Sequence, residues 1–221
     1  DNIESITEDT INDLLRDSPS VPDLIAYKIL QSVFHNRFGF YPLAIASIKE
    51  SSRNTLDVND LQQINEFTET EEQKRALVRL WLYYSINSQR FYKPLVSQFN
   101  NTLWDNPDSA INLKWRKANA LMRPMESFLG DAKNLFKKHW LEVLHDNFSE
   151  IVDKKSWIKA KSIDLDFLAN WMICDNCRGV QEEYPLNTKC IHCYSTNALK
   201  ELDPNQDSVF SARVSYDRSP I

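Results

Sequence analysis

The chain has 221 residues, of which 42% are hydrophobic and 26% charged, with a formal net charge of -5 and a mean hydropathy of -0.49. That length suits one sizeable core plus a small appended module, and no apolar run approaches the roughly 20 residues of a membrane helix. Only three glycines are present, Gly39, Gly130 and Gly179, where average usage of about 7% would give about fifteen; this excludes the glycine-rich phosphate cradles of nucleotide sites and predicts a mostly helical fold without glycine-dependent hairpins.

In chain order, Ser5-Ile-Thr-Glu8 reads as a capping box that opens a short helix with Ile6, Ile11, Leu14 and Leu15 on one stripe. Ser20-Val-Pro-Asp23 starts a second helix carrying Leu24, Ile25, Ile29, Leu30, Val33 and Phe34, which Gly39 stops. Phe38-Gly-Phe-Tyr-Pro42 is an aromatic loop. Leu43, Ile45 and Ile48 then predict a short helix, and Leu61, Ile64 and Phe67 another. Thr70-Glu-Glu-Gln73 is a second capping box, and the helix it opens is apolar nearly all round from Leu77 to Ile86, as a central helix should be. A helix with Ile111, Leu113, Ala118, Leu121 and Met122 follows and ends at Pro124. The longest stripe runs through Phe128, Leu129, Ala132, Leu135, Phe136, Trp140, Val143 and Leu144 at spacings of three and four. Ile151, Val152, Trp157 and Ile158, then Leu165, Phe167, Leu168 and Trp171, are read as two more short helices.

The four cysteines are Cys174, Cys177, Cys190 and Cys193, two C-x-x-C pairs separated by twelve residues. Each pair can supply two thiolates from one tight turn, the spacing of a tetrahedral four-cysteine zinc site. With Arg178-Gly179 and Tyr194-Ser195 placed to turn each knuckle back into a strand, residues 171 to 200 resemble the zinc-ribbon family. Two disulfides would require an oxidising compartment, and no apolar secretory segment is seen in the chain as given. A redox C-x-x-C would open a helix and would not occur twice at this spacing. His192 lies inside the second knuckle and could compete as a ligand, but four thiolates complete the tetrahedron. A closed tetrahedron leaves no position for water or substrate, so one structural Zn2+ per chain is expected. Val180-Gln-Glu-Glu-Tyr184 alternates as a strand between the knuckles, and Pro185-Leu-Asn187 supplies a turn. A module of this size would draw much of its folding free energy from the metal, and its loss should leave most helicity intact.

No catalytic signature accompanies the metal. His35, His139, His145 and His192 are scattered, and His139 with Glu142 or His145 with Asp146 reads as a solvated helix face rather than a site. No G-x-S-x-G elbow, free thiol or paired-carboxylate spacing is present. Charge is divided along the chain: residues 1 to 73 carry five basic and fourteen acidic groups, residues 74 to 161 sixteen and eight, and residues 173 to 221 five and seven. Lys114, Arg116, Lys117 and Arg123, then Lys133, Lys137 and Lys138, make the middle basic, and with Trp115 they could form a nucleic-acid face. The alternative is that they form the solvated side of amphipathic helices, or pack on an acidic partner or the acidic first third of the chain. The ribbon is mildly acidic, which disfavours phosphate binding there.

The expected architecture is mainly α: an all-helical domain over residues 1–171, as a bundle or irregular array, a zinc ribbon over 172–203, and a tail over 204–221 that is flexible or docked on a partner. The expected function is that of a non-catalytic interaction or scaffold subunit in a larger intracellular, nuclear complex, with other protein subunits as partners and neither a membrane nor a small-molecule substrate. Partner contacts are expected at Phe38, Phe40, Tyr41, Phe210 and Tyr216, since exposed aromatics supply large contact area. The alternative is a nucleic-acid-binding factor of transcription or replication using the basic helices 114–138, as the ribbon resemblance implies.

Overall fold

The computed structural model describes residues 33, 39–52, 54, 56–64, 67–87, 121–152, 155–159, 162–186 and 188–203. Apart from Val33, which is helical and buried, the first two expected helices, most of the helix ending at Pro124, and the tail lie outside the described residues.

The first described elements already depart from the helical expectation. Ser47–Glu50 is a strand, β1, where Ile48 had suggested a helix, and it is followed by a 3-10 turn at Val58–Asp60. Helix α1 spans Glu71–Asn87, starting as its capping box dictates. Gln73 N–H donates to Thr70 Oγ1 at 3.2 Å, while Gln73 Oε1 accepts from the Thr70 and Glu69 amides at 3.0 and 2.8 Å. Ten of its side chains are buried, from Ala76 to Ile86, so the all-round apolar pattern does mark a central helix.

The long stripe of residues 128 to 144 does not form one helix. It divides into α2 (Arg123–Leu129), a 3-10 turn (Gly130–Ala132), α3 (Lys133–His139) and α4 (Leu141–Phe148). Gly130 caps α2 with φ 58, a conformation glycine adopts without strain, and the chain breaks again at Trp140. Periodicity survives these breaks because each piece turns its apolar side to one core: Phe128, Phe136, Trp140 and Phe148 are all fully buried beside Trp81.

The remaining segments are strands. β2 (Ser149–Val152) pairs antiparallel with β3 (Lys155–Ile158), and β4 (Ile163–Asp166) with β1, so that Ser47 faces Asp166 and Glu50 faces Ile163. β5 (Trp171–Cys174) lies between β6 (Val180–Glu182) and β7 (Leu199–Glu201) in a three-stranded antiparallel sheet. The expected all-helical bundle is therefore corrected to a mixed fold of short helices and three small sheets among the described residues. Ile151-Val152 and Ile163-Asp-Leu-Asp166 are short runs, β-branched or alternating, that suit a pleated surface better than a helix.

Scarcity of glycine does not keep tight turns out of the fold. Among the described residues, five non-glycine residues take left-handed turn positions: Ala44, Arg178, Thr188, Tyr194 and Asn197, with φ between 47 and 62. Each carries a backbone cost of about 1–2 kcal/mol that surrounding hydrogen bonds must offset.

One ionic cluster joins the layers. Arg79 of α1 sends Nη1 to Glu182 Oε1 of β6 at 2.9 Å and to Asp166 Oδ2 of β4 at 3.8 Å, while its Nε lies 3.5 Å from Glu50 Oε2 of β1. Glu182 is buried and also accepts from Ser47 Oγ. Burial pushes its pKa up, while Ser47 and Arg79 pull it back. Removing either partner would strand a desolvated charge.

Candidate metal centre

Sequence places Cys174 at the end of β5 and Cys177 in the turn that follows, with Cys190 and Cys193 in a second turn after Lys189. The two turns are built alike. Cys174 N–H donates to Gly179 O at 3.0 Å and Arg178 N–H to Cys174 O at 2.8 Å; in the second turn Cys190 N–H donates to Ser195 O at 2.9 Å and Tyr194 N–H to Cys190 O at 3.0 Å. Arg178 and Tyr194, each following the second cysteine, both take the left-handed conformation, φ 59 and 62. Two equivalent turns thus present two sulfurs each to a common point.

The four Sγ atoms lie within 4.8 Å of one another, with Cys174–Cys193 and Cys177–Cys190 both at 3.7 Å. Zinc–thiolate bonds of about 2.3 Å set tetrahedral sulfur–sulfur edges of about 3.8 Å. A disulfide needs about 2.05 Å. The donor set therefore fits a metal, zinc above others, and none of the four cysteines is in a disulfide. Cys174 and Cys190 are buried and Cys177 is exposed, so the site has an inner and an outer side.

Electrostatics follow that division. Burial pushes the Cys190 thiol well up and raises Cys177 as well. Hydrogen bonding with the Ser195 side chain and backbone holds Cys193 down, at about 6, with Asn176 assisting. His192 N–H points at Cys190 Sγ at 3.4 Å.

The residue before the second cysteine of each pair reaches across to the other turn. Asn176 Nδ2 donates to Ser195 Oγ at 2.9 Å, and His192 Nε2 lies 2.9 Å from Val180 O, where an Nε2–H donates. His192 is thereby a clasp rather than a fifth ligand. Gly179 makes room for it: a Cβ there would meet the His192 ring at 2.5 Å.

This module is bolted to the rest of the chain. Tyr184, Leu186 and Ile191 belong to the same apolar cluster as Trp81 and Phe128. Tyr84 Oη of α1 donates to Ile191 O at 2.6 Å, and Gln181 Oε1 accepts from Ile191 N–H at 2.9 Å. Lys189 donates to Phe128 O at 2.7 Å and Ser127 O at 3.3 Å, capping the end of α2, with its ammonium 5.3 Å from the Phe128 ring centre. The Tyr84 and Lys189 anchors were not legible in sequence, because each joins residues 61 or more positions apart.

The other sequence candidates do not converge. Arg123, Lys133 and Lys138 are exposed on α2 and α3, but Lys137 is ion-paired with Glu126, and Lys114, Arg116 and Lys117 lie outside the described residues. Phe40 is half-buried to exposed at 36%, whereas Tyr41 is 2% exposed, its ring 4.7 Å from Tyr83 and 5.1 Å from Trp171. Phe38, Phe210 and Tyr216 lie outside the described residues. No helix among the described residues is long and apolar enough to cross a membrane. No family model, curated protein or solved structure matches the chain.

Proposed function

We propose that the chain is a non-catalytic interaction subunit of a larger intracellular assembly, nuclear in location, whose structure is held by one zinc ion at Cys174, Cys177, Cys190 and Cys193. The observation that carries the reading is the closed four-sulfur tetrahedron fastened to α1 and α2 through Tyr84 and Lys189. Four thiolates satisfy zinc fully, so the metal supplies cohesion and leaves no coordination position for substrate. Bound there, zinc would act as a rigid cross-link between the two turns.

The nucleic-acid reading gains no support from the described basic residues. Lys137 is spent on Glu126, and Asp131, Glu142 and Asp146 are exposed on the same run of helices, which breaks any single-sign surface. Metal analysis of the purified chain should return one zinc per molecule. Chromatography of tagged protein at native abundance should place it in a species larger than the monomer, and imaging should place it in the nucleus. A zinc-free folded chain, or a monomer at native abundance, would overturn the corresponding half of the proposal.

A further inference from the structure

Five large apolar side chains are exposed among the described residues, and four of them leave one end of the β1–β4 pair. Ser47 faces Asp166 in the last pair of the ladder, so the chain entering β1 and the chain leaving β4 emerge side by side. The entering loop carries Phe40 and Ile45, 36% and 41% exposed; the leaving loop carries Phe167 and Leu168, 61% and 90% exposed. These segments are more than 120 residues apart in sequence, so no local pattern could reveal the grouping.

The patch stands on a fixed base. Ile45 and Ala46 N–H both donate to Phe40 O, at 2.8 and 3.3 Å, closing the first loop, and Leu168 N–H donates to Asp166 Oδ1 at 3.2 Å in the second. Beneath them Tyr41 packs edge-on against Trp171, joining one loop to the strand that follows the other. Surface already ordered loses little entropy on binding, and aromatic and leucine side chains supply contact area.

Among the described residues, the two loops and the ends of the strands they leave carry only negative charge. Residues 39–46 carry no charge, and residues 162–174 contain Asp164 and Asp166 with no lysine or arginine. Glu183 N–H donates to Asn170 O on one side of the leaving loop, and Leu202 N–H donates to Trp171 O on the other, which sets Glu183 and Glu201 on its two flanks. Glu183 and Glu201 are exposed, while the Asp164 carboxylate accepts from Ser52 N–H at the far end of the strand pair. The nearest described cations by register are engaged: Lys49 pairs with Asp166, Arg79 with Glu50, Asp166 and Glu182, and Lys200 with Asp175. An acidic rim repels nucleic-acid phosphates and anionic lipid headgroups, and it favours apolar side chains that arrive flanked by lysine or arginine.

We infer that Phe40, Ile45, Phe167 and Leu168, rimmed by Glu183 and Glu201, form a docking surface for a partner protein segment that alternates apolar and basic residues. The inference rests on the interaction-subunit reading and names the surface it would use.

Fluorescence anisotropy with the full chain tests it, using a short labelled peptide in which leucine alternates with lysine and a counterpart in which leucine alternates with glutamate. The lysine peptide should bind and the glutamate peptide should not. Phe167→Ser with Leu168→Ser, and separately Glu183→Lys with Glu201→Lys, should each weaken binding about tenfold or more. Leu135→Ser, at the exposed apolar residue on α3, should leave it unchanged. All variants alter exposed groups, and melting temperature and zinc content verify that each is folded. Failure of the lysine peptide to bind, equal binding to all variants, equal binding of both peptides, or a concentration-dependent dimer abolished by the double serine variant would each overturn the inference. The last outcome would assign the surface to a second copy of this chain. Loss of zinc in the wild type would sink the metal reading without touching this result.

Discussion

A methyl group on Gly179 would meet His192 Cδ2 at 2.5 Å, so the residue is fixed by space rather than by backbone freedom. Gly179→Ala should destabilise the chain by about 1–3 kcal/mol, the cost of overpacking. His192→Ala alone should lose the bond to Val180 O, about 0.5–1.5 kcal/mol. Because the clash needs both side chains, the double variant should be more stable than the sum of the two changes, which a urea-denaturation double-mutant cycle measures. Strict additivity would show that the ring does not sit where it is described. The two central tryptophans invite a second comparison. Trp140 Nε1 donates to Gln62 O at 2.7 Å, whereas Trp81 Nε1 is buried with no hydrogen-bond partner. Trp140→Phe should therefore cost more than Trp81→Phe, by about 1 kcal/mol, the net worth of one hydrogen bond.

Helix α1 is the element through which the metal module reaches the core. Tyr84→Phe keeps the ring and removes only the donor to Ile191 O, and leaving that buried carbonyl unmet should cost about 1–3 kcal/mol. The effect should appear in zinc retention against a chelator as well as in melting temperature; a change in stability alone would separate the helix from the metal. The same helix shows what sequence can disclose. Its cap at Thr70 and Gln73 and its all-round apolar pattern are local properties, and both were legible. So were the four cysteines, whose spacing dictates the paired turns. Strands β1 and β4 were not, because four-residue segments such as Ser47–Glu50 show apolar spacings that satisfy a helix and a strand equally, and only pairing across more than a hundred residues decides between them, while β2 and β3, which pair locally, show the same ambiguous spacing. The glycine count misled in the same way: Ala44, Arg178 and Tyr194 accept backbone strain where glycine was expected.

Across the whole molecule, the metal turns and the helices share one apolar cluster, and this changes the expected consequence of losing zinc. Structural zinc contributes about 10–16 kcal/mol in small modules, while a domain's net stability is about 5–15 kcal/mol. Chelation, or Cys190→Ser, should therefore collapse the near-ultraviolet circular dichroism of the buried tryptophans together with the metal signal, in one transition. Two separate transitions, with helical signal surviving the first, would show the module to be an independent appendage. The joins also impose an order on biosynthesis. Tyr84 must wait 107 residues for Ile191, and Arg79 must wait 103 for Glu182. At about 5–20 residues per second, the ribosome exposes the apolar faces of α1 for about 5–20 s before their covering emerges. During that interval the nascent chain is a client for chaperones, and cellular zinc supply, acting last, decides whether it leaves their care.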